Sequence, residues 1–334
     1  MSFNRLSPED FVVSSDSITA VLWSGGISSL SASYTSSVQE GGTSGLFYLN
    51  VFQTQSDDAS AAIQFAIAYG NLNGSGSNFY NNSVIGASPT RTTYGQYRNL
   101  IIGDENTNFA FGSITSSEFW AISVDRTRYK QSLFPGSLSL VLSGSNGYIT
   151  LTDNSQVATS IIFNDAGRVF QIVSGSQGLI YTGTNNNGYS INSGSYGWFL
   201  PDIGTILLNP LALSESIGLA SNQTYNSDGF NYRRLYNAIL GGGSFQLNSQ
   251  ENISADYIFV RARNAEFNYS ENPSYISGST GELIYNNFIN NPQTYVTTIG
   301  LYNDNNELLA VAKLSRPLLK DFTKEALIRV KLDF

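Results

Sequence analysis

The sequence predicts an all-β protein made of antiparallel β-sandwich domains with few short helices. Three observations predict it. Apolar residues alternate at period two in short runs, the pattern of a strand with one buried face. Clusters of Asn, Gly and Ser separate these runs, as turns require. A hydrophobic content of 41% over 334 residues is enough for a sizeable core.

Strand character begins at Leu46–Gln53. In Ala59–Tyr69, Ile63, Phe65, Ile67 and Tyr69 alternate as in a strand, while Ser56-Asp57-Asp58 would cap a helix; the alternation favours a strand. Tyr94–Ile101 is a weaker helix candidate. Ser137–Leu142 places Leu138, Leu140 and Leu142 on one face, and Gly147–Thr152 and Arg168–Val173 follow as further strands. Asn185-Asn186-Asn187-Gly188 is a turn cluster. Asp228 would cap a helix in which Tyr232, Leu235, Tyr236 and Ile239 share a face, ending at Gly241. Tyr257–Arg263, Tyr295–Tyr302 and Glu307–Lys313 read as strands. In the closing run, Ile328, Val330, Leu332 and Phe334 point one way and Arg329, Lys331 and Asp333 the other.

Charge divides the chain. Residues 1–230 hold 7 Lys and Arg against 15 Asp and Glu, whereas 11 of the last 34 residues are charged. With Gly241-Gly242-Gly243 as punctuation, this predicts a β-rich domain over 1–230 and a second sandwich module over 231–334, with the boundary near 225–245.

Absent residue types narrow the chemistry. With no Cys and no His, the chain has no thiolate nucleophile, imidazole base, Ser-His-Asp triad or Cys- or His-ligated metal. Only 13% of residues are charged, about half the usual ~25%, as in secreted adhesins, fibre proteins and virion components. The net charge of −8 argues against nucleic-acid or anionic-membrane partners. No stretch approaches ~20 apolar residues and Met1–Arg5 lacks a signal-peptide core, so a soluble product made in a cytoplasm is expected, without membrane insertion.

The remaining enzymatic option is a carboxylate pair, as in glycoside hydrolysis. Asp57-Asp58, Asp104-Glu105, Asp153, Asp165 and Asp202 are the candidates, and their turn-like contexts favour solvated turns and caps. Asn303–Glu307 offers alternating oxygen ligands for calcium but lacks the glycine and spacing of a helix–loop–helix site, so a hairpin turn explains it better. No catalytic residue, metal site or cofactor is expected. Tyr196 and Trp198, in Ser195–Phe199, form the best single patch for a glycan, although such aromatics more often serve as core or interface. Two basic spots stand out: Arg126 and Arg128 in Asp125–Lys130, and Arg261 and Arg263 beside Phe259 at period two. Each suits either an internal salt-bridge network or a subunit interface. Ile258, Val260 and Ala262 are expected to face the core, opposite Phe259, Arg261 and Arg263.

Phe267-Asn268-Tyr269-Ser270, Asn272-Pro273, Asn291–Asp304 and Asn306–Leu314 resemble virion structural proteins of large contractile-tailed bacteriophages, cyanophages among them. The Gly300-Leu301-Tyr302-Asn303 turn and the Glu307–Val311 return are similar to the hairpin in attachment domains of tail-collar fibres. Those domains open their chains, whereas this segment closes its own. The resemblance implies a non-enzymatic tail or baseplate component, assembled in the host cytoplasm into the virion. It would act as a homo- or hetero-oligomer with other virion proteins, and Tyr302 joins the interface candidates. A receptor- or glycan-binding tail adhesin, or a neck or head-decoration protein, is the alternative.

Overall fold

The computed structural model describes residues 4–27, 30–37, 45–54, 58, 60–74, 90–181, 195–222, 230–270 and 272–333. The fold is all-β, with strands far outnumbering helices. It divides into two compact units, Ile18–Glu251 and Met1–Ser17 joined with Asn252–Phe334.

The elements in chain order are β1 (Phe11–Gly26), β2 (Ser31–Ser37), β3 (Gly45–Phe52), β4 (Ile63–Asn71), α1 (Thr90–Ile102), β5 (Phe109–Phe111), β6 (Ile114–Ser116), β7 (Glu118–Val124), β8 (Ser132–Leu133) and β9 (Ser139–Gly144). They continue with β10 (Gly147–Asp153), β11 (Ile162–Asn164), β12 (Gly167–Ser176), β13 (Leu179–Ile180), β14 (Gly197–Leu200), β15 (Thr205–Leu208), α2 (Pro210–Ile217), α3 (Phe230–Gly242) and β16 (Ser244–Ala262). Last come α4 (Asn287–Asn290), β17 (Gln293–Tyr302), β18 (Leu308–Asp321) and β19 (Ala326–Asp333). The chain crosses from one unit to the other within β1 and within β16.

In the larger unit the strand order is β1–β16–β9–β10–β12–β14–β15–β7–β4–β3–β2. From β16 to β2 every neighbouring pair is antiparallel. Trp23 on β1 lies 4.7 Å from Phe245 and 5.6 Å from Phe65 on β4, so the two ends of this sheet curl towards each other over a shared core. Phe119 and Trp120, successive on β7, point to opposite faces. Phe119 meets Tyr94 and Tyr97 of α1 and Phe109 of β5. Trp120 packs near Tyr69, and its indole N–H donates to the Asn231 carbonyl at the start of α3 at 2.9 Å. α1 and α3 lie on opposite faces of β7, and β7 and β15 are almost wholly buried, so Phe119–Ile122 and Ile206–Leu208 run apolar without alternation.

Leu138, Leu140 and Leu142 are buried, as their alternation predicts. Of the expected Ala59–Tyr69 strand, Ile63–Tyr69 lies in β4, and both expected helices form as α1 and α3. In α3, Tyr232, Leu235 and Ile239 face the core. Asp228, the expected cap, Asp57 and the Asn185–Gly188 turn lie outside the described residues.

The division of the chain differs from the expected 1–230 and 231–334. It falls at Glu251/Asn252, and the first 17 residues join the C-terminal part. The glycine run is not a linker. Gly241 lies against Ser143, and a Cβ on Gly242 would sit 1.9 Å from the Val141 carbonyl oxygen. These glycines bring the end of α3 onto β9 and keep α3 in the larger core.

The smaller unit is a small sandwich. β16 and β19 pair antiparallel from Ala255↔Asp333 to Ala262↔Ala326. β17 and β18 form a bulged antiparallel hairpin from Gln293↔Asp321 to Tyr302↔Leu308. The two layers meet at Ile258, Ile299 and Val330, flanked by Val260, Leu301, Ala312, Ile328 and Leu332. Lys320 anchors the 263–270 segment to the end of β18. Its side chain is fully buried, and its ammonium donates to the Asn264 carbonyl, the Asn268 side-chain carbonyl and the Asp321 carbonyl at 2.9–3.0 Å.

Candidate interaction surface

Alternation along β16 decides which side chains turn outward in the smaller unit. Ile258 and Ala262 are buried and Val260 half-buried, while Phe259 is half-buried and Arg261 exposed on the opposite face. The register then adds residues that the sequence did not bring together. Tyr257 stands across from Lys331, Phe259 from Arg329, and Arg261 from Leu327. Arg329 and Lys331 lie over the Tyr257 ring, at 5.5 and 5.9 Å from its centre, within cation–π range. Leu327 is 61% exposed. The outward sheet face is therefore aromatic and cationic.

Carboxylates border this face. Hydrogen bonds from the Ser7 backbone and hydroxyl hold the Asp10 carboxyl below the ordinary range, outweighing desolvation, and the Arg261 charge adds to them. Lys331 donates to Asp333 at 2.9 Å, and that hydrogen bond pushes its ammonium upward. Among the described residues, the Arg261 and Arg329 guanidinium groups form no ion pair.

The other expected interface residues do not converge here. Arg263 follows the end of β16; its carbonyl accepts from Glu266 N–H and its own N–H donates to the Glu266 carboxylate. Tyr302 belongs to the β17–β18 hairpin, where its ring lies 2.7 Å from the Cβ position of Gly300. Arg126 and Arg128 belong to the larger unit, in a short 3-10 turn capped by Asp125. Arg126 stacks 4.6 Å from the Tyr129 ring centre and donates to the Tyr129 carbonyl. Neighbouring Lys130 pairs with Glu251 at 2.7 Å.

The glycan patch does not form on the surface. Tyr196 is fully buried, and burial pushes its hydroxyl pKa up. Trp198 packs at 5.4–5.7 Å from Phe111 and Phe109 in the aromatic layer.

Asp153, Asp202, Asp58 and Asp104 occupy separate structural settings, while the Asp165 carboxylate lies against Gly103, next to Asp104. Asp153 is buried and accepts from Gly136 N–H through both oxygens at 2.9 Å; desolvation raises its pKa. Asp202 takes a forked interaction from Arg168 at 2.6–3.2 Å. Burial pushes its pKa up, but the Arg168 hydrogen bonds and charge outweigh that and leave it low. Asp58 and Asp104 hold local turns through Ser60 and through Asn106 and Thr107. A buried carboxylate not singled out by motif, Glu118, accepts from the Tyr69 and Ser221 hydroxyls. Burial first, and the Glu118 charge next, drive the Tyr69 hydroxyl pKa strongly upward.

Asn303–Glu307 is a hairpin turn. The Asn303 side-chain oxygen accepts from Asn305 N–H and Glu307 N–H, and its amide donates to the Glu307 carboxylate. Among the described residues, no group of three His, Cys, Asp or Glu side chains is arranged to hold a metal. No described helix is long and apolar enough to cross a membrane. Neither a family model, nor a curated protein, nor a solved structure matches this chain.

Proposed function

We propose that this chain is a non-enzymatic structural protein of a tailed-phage virion, assembling into the tail or baseplate region through protein–protein interfaces. One observation carries the assembly part. The smaller unit has little apolar burial, centred on Ile258, Ile299 and Val330, while Val13, Ile289, Leu309 and Leu327 are 61–69% exposed. Exposed apolar side chains gathered on one surface mark interaction sites, and the exposed Leu309 and Val311, two residues apart, share one outward face of β18. Low charge and the resemblance of about residues 230–334 to contractile-tail virion proteins favour a virion as the assembly.

The test is the protein composition of purified particles of the encoding phage, followed by electron microscopy of particles labelled on this chain. Stoichiometric incorporation with label on the tail or baseplate is expected. Absence from particles overturns the reading. Label at the neck or head surface moves it to those structures, and label at a host-contacting tip with glycan binding replaces it with an adhesin.

A further inference from the structure

The smaller unit leaves one strand edge free and apolar. Among the described residues β18 pairs with β17 alone, so its other edge offers a row of backbone N–H and C=O groups. Leu308–Leu314 lies along that edge with one charge, Lys313, and no Gly or Pro. Leu308, Leu309 and Val311 are exposed. A run of this composition on an edge favours the addition of another strand. The free edge of β19, by contrast, belongs to a strand carrying Arg329, Lys331 and Asp333, the kind of charge that protects an edge.

The charges around this run fit their own reversal. Asp304 and Glu307 precede it, Lys313 lies near its end and Arg316 follows it, and all four are exposed. Among the described residues Glu307, Lys313 and Arg316 form no ion pair, and Asp304 has Arg5 at 3.7 Å with both side chains almost fully exposed. Two copies of β18 laid antiparallel, with Ala310 facing Ala310, set Leu309 against Val311, Leu308 against Ala312 and Lys313 against Glu307, and bring Arg316 near Asp304. No other antiparallel register opposes both charge pairs. The ladder with β17 shifts on either side of Ala310–Lys313, and Pro317 follows. The free run is therefore short, and its register rests on its side chains.

We propose that the free edge of β18 pairs antiparallel with the same edge of a second copy of this chain, centred on Ala310. The proposal rests on the assembly reading above and names one of its contacts. Both copies offer the same surface, so the contact is isologous and closes as a two-fold dimer in which each side-chain pair away from the centre occurs twice. The two β17–β18 hairpins become one continuous sheet, with Leu309 of each copy beside Val311 of the other on its outward face.

Sedimentation equilibrium of the purified full-length chain tests this. Wild type should dimerise. Lys313→Glu should weaken dimerisation by about tenfold, because it opposes like charges at two symmetric places. Glu307→Lys/Lys313→Glu should restore it. Within one strand these two positions stand about 20 Å apart, so restoration reports a contact between copies. The chain has no Cys, and a single introduced thiol reads the register. In Ala310→Cys the two thiols face each other at a spacing that a disulfide spans, and mild oxidation should yield a covalent dimer; Lys313→Cys should stay uncrosslinked. Circular dichroism should report unchanged folding. If the Lys313→Glu chain does not fold, the two cysteine variants decide. A wild-type monomer, equal crosslinking at 310 and 313, or a charge swap that restores nothing overturns the proposal. Purified virions separate this from the broader reading. A chain present in particles but lacking this dimer refutes only this contact. A chain that dimerises as described but is absent from particles refutes the virion assignment and leaves the contact standing.

Discussion

Replacing Lys320 with methionine isolates the anchor beside the candidate interface. The substitution preserves the apolar stem and removes an ammonium whose three donors each reach a separate oxygen. The loss is smaller than three charged hydrogen bonds, because removing a buried charge also removes its desolvation cost. Asn264 is exposed and Asn268 half-buried, so their oxygens can turn to water. The Asp321 carbonyl, in a buried residue at the end of β18, loses a donor with less access to replacement. One buried unsatisfied carbonyl costs about 1–3 kcal/mol, and added loosening of the loop brings the expected loss to about 2–3 kcal/mol. Hydrogen exchange by mass spectrometry on the full-length chain reads it directly. Amides in 263–270, including Glu266 N–H bonded to the Arg263 carbonyl, should exchange roughly 30- to 140-fold faster, the equivalent of that free energy. Peptides from β4, β7 and β15 should not change. Unchanged exchange in 263–270, or equal acceleration throughout the chain, would refute the anchoring role.

The remaining predictions concern the two cores and one ion pair. Ile258→Ala should cost the smaller unit about 2–5 kcal/mol and expose its strands to exchange while β9 and β10 stay protected; Leu140→Ala should show the reverse. The Arg168–Asp202 pair should make stability depend on acidity with a definite sign. The Asp202 carboxyl is lowered in the folded state from its ordinary 3.8, so its contribution is full above 3.8 and disappears as pH falls through the lower folded value. Wild type should therefore lose stability over that interval relative to Arg168→Met in paired denaturant titrations. Equal pH slopes for both proteins would remove the pair as a contributor.

The strands visible in the sequence are those whose two faces differ in polarity or size. Leu138, Leu140 and Leu142 alternate with serine and valine, and Ile328, Val330 and Leu332 alternate with Arg329, Lys331 and Asp333. β7 and β15 were not visible this way, because α1 and α3 cover β7 from opposite sides and its pattern becomes continuous. α2 had a local signal in Asn209-Pro210 and Gly218. The Asn209 side chain accepts from Leu211 N–H, Pro210 opens the helix, and Gly218 closes it at φ 71°. The pairing of Phe259 with Arg329 and of Arg261 with Leu327 had none: residues about 70 positions apart meet through register, which each strand alone leaves open.

The same reasoning explains why charge density indicated a boundary in the wrong place. A strand covered on one side can carry charge at its outward positions, so β16 beyond Glu251 takes Arg261 and β19 takes Arg329, Lys331 and Asp333. A strand covered on both sides has no such positions, and β15 holds no charge at all. Composition thus registers how many faces are covered rather than where the chain changes unit. α3 obscures the transition because its solvent side carries Arg233 and Arg234 while Tyr232, Leu235 and Ile239 enter the larger core. Its charge resembles the C-terminal strands, but its packing does not. Packing decides, since burial of those three apolar side chains outweighs the small contribution of two surface cations.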